Sequence, residues 1–252
     1  MRRSSLLVPI LGMLAAAPAG AALIYQEGFN SAVGIQYAVV GGGISGPANN
    51  QNYWSRETLV NAASDPDPAF IGQEGADYWA ARDLDDLTGA THSVTLSNAG
   101  VSLSGYTGVT VSILLAANTG SWDPVAAGDY VRLYAVNASN GASTLLDEFH
   151  SFNGGSDTTL ESTTFDNVQL GGTFTRFTYN IPIAIGTLRF RFEAASTGDL
   201  EWVGFDDVRI EGTPVPEPAS AALVALGVAL LAGVRRASLR QAARRGDTIT
   251  LP

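Results

Sequence analysis

Thr187-Leu188-Arg189-Phe190-Arg191-Phe192-Glu193-Ala194 alternates without a break. Leu188, Phe190 and Phe192 face one way; Arg189, Arg191 and Glu193 face the other. Successive side chains of an extended chain leave opposite sides, so a period of two marks a strand with one buried face. The same reading applies at residues 129–136, where Val131, Leu133 and Ala135 oppose Tyr130, Arg132 and Tyr134. It applies again at 173–179, where Phe174, Arg176 and Thr178 oppose Phe177 and Tyr179. Residues 109–116 are nearly all apolar, as a central strand of a sandwich requires. Clusters of Gly, Ser, Thr, Asn and Asp separate these runs, and no stretch between residues 22 and 212 offers an apolar face at helical period. The pattern predicts an all-β antiparallel sandwich.

A strand over residues 200–211 closes the domain. Strict alternation puts Leu200, Trp202, Gly204, Asp206, Val208 and Ile210 on one face, and with them the carboxylate of Asp206. A carboxylate on an apolar face is costly unless it is neutralised or binds a cation. First and last strands are often neighbours in a sandwich, which would bring Glu27, beside Phe29, toward Asp206.

Glu27-Gly28-Phe29, Asp77-Tyr78-Trp79-Ala80-Ala81-Arg82-Asp83 and Phe205-Asp206-Asp207-Val208-Arg209-Ile210 together resemble jelly rolls of the carbohydrate-binding-module type. The resemblance implies a jelly-roll-like fold and a structural Ca²⁺ held by Glu27 and Asp206, with Asp207 a further candidate. Backbone carbonyls would complete the six to eight oxygens that Ca²⁺ takes. The alternative is that Glu27 and Asp207 are solvated and that Asp206 pairs with an Arg or caps a turn.

Composition narrows the function. Residues 22–217 hold seven Arg against 23 Asp and Glu, and the chain has no Lys. Such a field repels phosphate backbones and argues against nucleic acid as a partner. The chain also has no Cys, which excludes disulfides, thiolate metal sites and cysteine nucleophiles. The Gly41 to Gly46 run matches a dinucleotide fingerprint by letter, but Pro47 follows at once and no amphipathic helix comes after it, so a loop is the better reading. The histidines, His92 and His150, stand in no catalytic motif. Trp122, in a loop-like context, and Tyr130 with Tyr134 are candidates for a sugar-stacking platform, against the alternative that they pack in the core.

The two ends read as addresses. Arg2 and Arg3, an apolar run from Leu6 to about Ala19, and small residues Ala19-Gly20-Ala21 form a secretory signal peptide cut after Ala21. At the other end, Pro216-Glu217-Pro218 precedes an apolar run over residues 219–234 and a cluster of Arg. Sixteen residues at about 1.5 Å each reach about 24 Å, short of a roughly 30 Å hydrocarbon core. The prolines forbid a helix upstream, and the basic end would stay in the cytoplasm.

This order resembles the PEP-CTERM sorting signal of exported proteins from Gram-negative, polysaccharide-producing bacteria. The resemblance implies processing near the triplet by an exosortase, a membrane-embedded cysteine transpeptidase-like enzyme. One departure is the 16 residues after Arg236, where such tails usually end sooner.

The expected organisation is a signal peptide (1–21), a β-sandwich ectodomain (22–212), a sorting signal (213–236) with its membrane helix (219–234), and a basic, disordered cytoplasmic tail (237–252). The expected partners are the Sec translocon, signal peptidase, exosortase, the inner membrane before processing, and extracellular polysaccharide. The expected function is that of a non-catalytic exported envelope or matrix protein. The alternatives are a carbohydrate-binding module and an unrecognised hydrolase.

Overall fold

A computed structural model describes residues 20–30, 37–40, 53–58, 70–82, 84, 92–118, 122–123, 128–152, 159–166, 168–182, 184–197, 201–215 and 226–231. The sorting triplet Pro216-Glu217-Pro218, Ala19 of the signal-cleavage site, the Gly41–Gly46 loop and the tail 237–252 lie outside the described residues. The chain divides into two units, Met1–Pro214 and Val215–Pro252.

The first unit is a jelly-roll-like antiparallel β-sandwich of two six-stranded sheets. The first sheet holds β1 (Ala22–Glu27), β3 (Tyr53–Thr58), β4 (Asp77–Arg82), β6 (Tyr106–Ala117), β10 (Thr175–Asn180) and β12 (Trp202–Pro214). The second runs β2 (Tyr37–Val40), β5 (His92–Ser102), β11 (Thr187–Ala195), β7 (Tyr130–Asn137), β8 (Ser143–His150) and β9 (Glu161–Ser162). The alternating stretch Thr187 to Ala194 lies in β11, central in its sheet between β5 and β7. Its apolar side, Leu188, Phe190 and Phe192, is buried among Val94, Leu96, Val131 and Leu133. From the other sheet Val111, Ile113, Leu115, Phe177, Phe205 and Val208 close the same core. Phe192 and Phe205 stack across the two sheets with ring centroids 4.1 Å apart.

β12 organises the first sheet. One edge pairs with β6 along most of its length. The other edge pairs first with β4, through residues 202–205, and then with β1, through residues 208–212. The first and last strands are therefore neighbours, as expected. Between the two pairings the register against β6 slips: Asp206 faces Leu114, and the next paired residue, Arg209, faces Ser112. That is a one-residue bulge, with Asp207 at φ 40° in the left-handed region. Aspartate tolerates that region better than most residues because its short side chain bonds locally.

The bulge corrects the strict alternation read from the sequence. Val203, Phe205, Val208 and Ile210 face the inter-sheet core, while Gly204 faces away from it. Asp206 is buried all the same, because the far side of the sheet is also covered. Phe70, Tyr78 and Phe174 form an edge-to-face trio there, with Ala80, Leu114 and Ala116 beneath. Gly204 permits this second layer: a Cβ there would lie 2.8 Å from Phe174 Cζ and 3.0 Å from Phe70 Cδ2.

In the second unit, residues 226–231 are helical. Among the described residues no helix is long and apolar enough to cross a membrane.

Candidate functional site

Three groups of polar side chains stand out. The first surrounds the β12 bulge, where β1 ends and β4 begins. Asp206 Oδ2 accepts the amide hydrogen of Glu74 at 2.6 Å, and Oδ1 accepts that of Asp207 at 2.7 Å. Burial pushes the Asp206 carboxyl up to about 7, against the opposing pull of these two amides. Asn30, just past β1, bonds the same loop: its Oδ1 accepts from Ala76 and Asp77, and its Nδ2 donates to the Glu74 carbonyl.

Asp207 is held differently. Its carboxylate accepts from Gln26 Nε2 at 2.6 Å, is gripped by Arg176, and lies 2.8 Å from Arg209 Nε. Burial alone would raise its pKa, but hydrogen bonding with Glu74 and then with Arg209, Gln26 and Arg176 outweighs that and holds it below the usual carboxylate range. Both arginines also reach Glu74. Asp207 is thus committed to arginines, and it is withdrawn as a cation ligand. Glu27 lies opposite Val208, and its Oε1 accepts the Phe29 amide hydrogen at 2.8 Å. Among the described residues no hydrogen bond or ion pair joins Glu27 to Asp206. Glu74, Arg176 and Arg209 were missed from the sequence; Arg176 and Arg209 lie 102 and 135 positions from Glu74, and no local pattern connects them.

The second group is the outward side of the second sheet. Tyr130, Arg132 and Tyr134 on β7 stand beside Arg189, Arg191 and Glu193 on β11 and Glu148 and His150 on β8, all half-buried. The Arg132 guanidinium lies 3.8 Å from the Tyr130 ring centroid, and that of Arg191 lies 4.5 Å from the Tyr134 centroid. Arg132 is ion-paired to Glu148 and faces Glu193 across the strands. Glu148 also meets His150 Nδ1 at 3.0 Å, and Arg191 Nε lies 3.0 Å from Glu193. The result is a row of two phenol rings, each with a guanidinium over it, on the half-buried outward side of the sheet.

Trp122 does not belong to this array. It is 2 % exposed, packs in the inter-sheet core, and donates its indole hydrogen to the Asn118 carbonyl at 3.2 Å. Its expected role as an exposed platform is corrected, since a buried ring has no face to offer.

The third group is Asp123, Asp129 and Glu201, whose carboxylate oxygens lie within 4.8 Å of one another. Asp129 and Glu201 are buried; Asp129 accepts from the Asp123 amide at 2.6 Å and from Thr197 Oγ1 at 2.9 Å. Glu201 accepts the Thr197 amide hydrogen at 3.0 Å. Burial, chiefly, raises the Asp129 carboxyl.

No family model matches this chain, and no curated protein matches it. Solved structures do. The K1 cleaved adhesin domain of Lys-gingipain from Porphyromonas gingivalis W83 aligns with a TM-score of 0.46 and 13% identity, over 75% of this chain and 98% of that one. The CBM22-1 xylan-binding domain of Xyn10C from Paenibacillus barcinonensis aligns with a TM-score of 0.41 and 14% identity, over 79% and 99%. TmCBM61, solved with β-1,4-galactotriose, aligns with a TM-score of 0.37 and 11% identity, over 69% and 86%.

Proposed function

We propose that the sandwich is a non-catalytic binding domain of an exported envelope or matrix protein, and that the outward side of its second sheet is a carbohydrate platform. The observation that supports this is the Tyr130–Arg132 and Tyr134–Arg191 array. A pyranose presents an apolar C–H face and a rim of hydroxyls. Phenol rings suit the first, and guanidinium and carboxylate edges suit the second. Tyr130 and Tyr134 are four residues apart on one strand, so the rings are about 13 Å apart along it and would meet separate sugar units of an extended chain. Rings already stacked on arginines lose little freedom on binding.

Affinity electrophoresis of the full chain through gels containing extracellular polysaccharide tests this. Retardation that falls about tenfold in Tyr130→Ala/Tyr134→Ala, with the thermal transition kept, supports the platform. Unchanged retardation moves binding elsewhere, and no retardation on any glycan leaves a purely structural protein.

Two further elements belong to the proposal. Export through the signal peptide cut after Ala21, transient anchoring in the inner membrane, and exosortase processing at Pro216-Glu217-Pro218 rest on the sequence order of these segments. Glu217→Ala should leave the protein in the membrane fraction; normal release would reduce the tail to a plain anchor. A structural Ca²⁺ held by Asp206 and Glu27 is favoured by a buried carboxylate that, among the described residues, bonds two backbone amides and no cation. A chelator should lower the melting temperature and Ca²⁺ should restore it.

A further inference from the structure

The platform carries an unusual share of the domain's positive charge. The sandwich has seven arginines in an otherwise strongly acidic domain. Arg176 and Arg209 are bound to Asp207, Arg56 lies 3.7 Å from Asp77, and Arg82 stacks on Trp202. The other three, Arg132, Arg189 and Arg191, share one side of two adjacent strands. With Glu148, Glu193 and Glu161, which lies opposite His150 on β9, guanidiniums and carboxylates balance on this side of the sheet. Among the described residues a polyanion is repelled least on this side, because the arginines here match the carboxylates while the domain as a whole is strongly acidic.

The three arginines are not equivalent. Arg132 lies between Glu148 and Glu193, so its charge is compensated. Arg191 is shared between Glu193 and the Tyr134 ring. Arg189 faces Val136 across the strand, and its Nε has no acceptor. Among the described residues Arg189 has no ion pair and no hydrogen bond to another side chain. A guanidinium has five donors in a fixed fork that matches a carboxylate; the Nε of each is buried, so the terminal Nη donors of Arg189 and Arg191 are the ones left for an incoming acid.

We propose that the platform selects acidic polysaccharide, with sugar carboxylates taken by Arg189 and Arg191 while the rings stack on Tyr130 and Tyr134. This rests on the reading that the face binds carbohydrate. Uronate chains are the ligand class that joins a stacking surface to a carboxylate in every unit.

The test uses the full chain with polygalacturonate and with the same polymer fully methyl-esterified. The esterified polymer keeps the rings and removes the charge. Selectivity predicts about tenfold or stronger retention on polygalacturonate, lost in Arg189→Gln/Arg191→Gln and weakened by raising salt from low to high ionic strength. Arg189→Lys/Arg191→Lys keeps the charge but not the fork and should recover part of it. Thermal melts of each variant establish folding, and the comparison of the two polymers on unaltered protein does not depend on any variant. Equal, salt-insensitive binding to both polymers overturns the inference and leaves the carbohydrate reading intact. Binding to neither polymer, with no effect of the tyrosine substitutions on any glycan, overturns both.

Discussion

Asp206 and Asp207 are adjacent in the chain and both fully buried, yet their carboxyls are shifted in opposite directions. Among the described residues Asp206 has only amide partners, and burial raises it to about 7. Asp207 has two arginines and a glutamine and is lowered. The bulge between them is what turns one toward the loop and the other toward the cations.

This difference gives the fold a pH signature. Asp206 holds its proton more tightly folded than unfolded, so ionising it penalises the native state. The penalty is absent below about pH 3.8, grows between there and about pH 7, and is complete above. A displacement of that size corresponds to roughly 4 kcal/mol at most. In chelator, the stability of the unaltered protein minus that of Asp206→Asn should therefore fall as pH rises from 4 to 7. A flat difference would show that Asp206 is solvated. At pH 7 and above, added Ca²⁺ should raise the melting temperature of the unaltered protein more than that of Asp206→Asn.

Asp207 predicts the converse case. Arg176→Met keeps most of the aliphatic stem but removes one partner of a buried carboxylate. Breaking such a pair costs about 3 kcal/mol, and the remaining Arg209 keeps it from costing more. Urea unfolding at neutral pH reads this directly. Arg176→Met/Arg209→Met should exceed the single change, because the charge is then left without a cation.

Gly204→Ala should destabilise although it adds one methyl. The added Cβ would press against the Phe174 and Phe70 rings at 2.8 and 3.0 Å, so the outer aromatic layer must lift. Overpacking of this kind costs about 1–3 kcal/mol. Pairing it with Phe174→Leu should recover part of the loss in thermal melts.

The two sheets are also tied at one edge by a buried polar bond. Tyr179 on β10 donates its hydroxyl to Asp147 Oδ2 on β8 at 2.9 Å, and Ser162 donates to the same oxygen at 2.7 Å. Tyr179→Phe should cost about 1–3 kcal/mol by guanidinium denaturation, because a buried carboxylate loses one of its donors. A change near zero would mean that Ser162 and Thr163 already satisfy it.

Trp122→Ala separates core from surface. With the ring in the inter-sheet core, the substitution should cost about 3–5 kcal/mol by denaturation. Glycan retention of the folded fraction should be unchanged.

Much of the architecture was legible locally. Alternation over 187–194 and 129–136 named both faces of β11 and β7, since a strand's side-chain period is fixed by backbone geometry. It also set Tyr130, Arg132 and Tyr134 against Val131, Leu133 and Ala135, and Arg189 and Arg191 against Leu188, Phe190 and Phe192, while leaving open whether the tyrosines pack in the core. That these strands are adjacent, so that Arg191 lands on Tyr134, is a pairing between residues 57 positions apart and has no local signature.

Sequence alone determined the sandwich class, the acidic character of the domain and the order of the terminal segments, because periodicity, charge and motif order are properties of the chain itself. Tertiary structure decided which polar groups are partnered. One extra residue at Asp207 moved Val208 and Ile210 onto the face of Val203 and Phe205 and left Asp206 on the other. The arginines that neutralise Asp207 come from other parts of the chain, and the loop before β4 covers Asp206. A bulge reverses every later position of a strand, and burial depends on what distant segments lay over it; neither is encoded in the alternation.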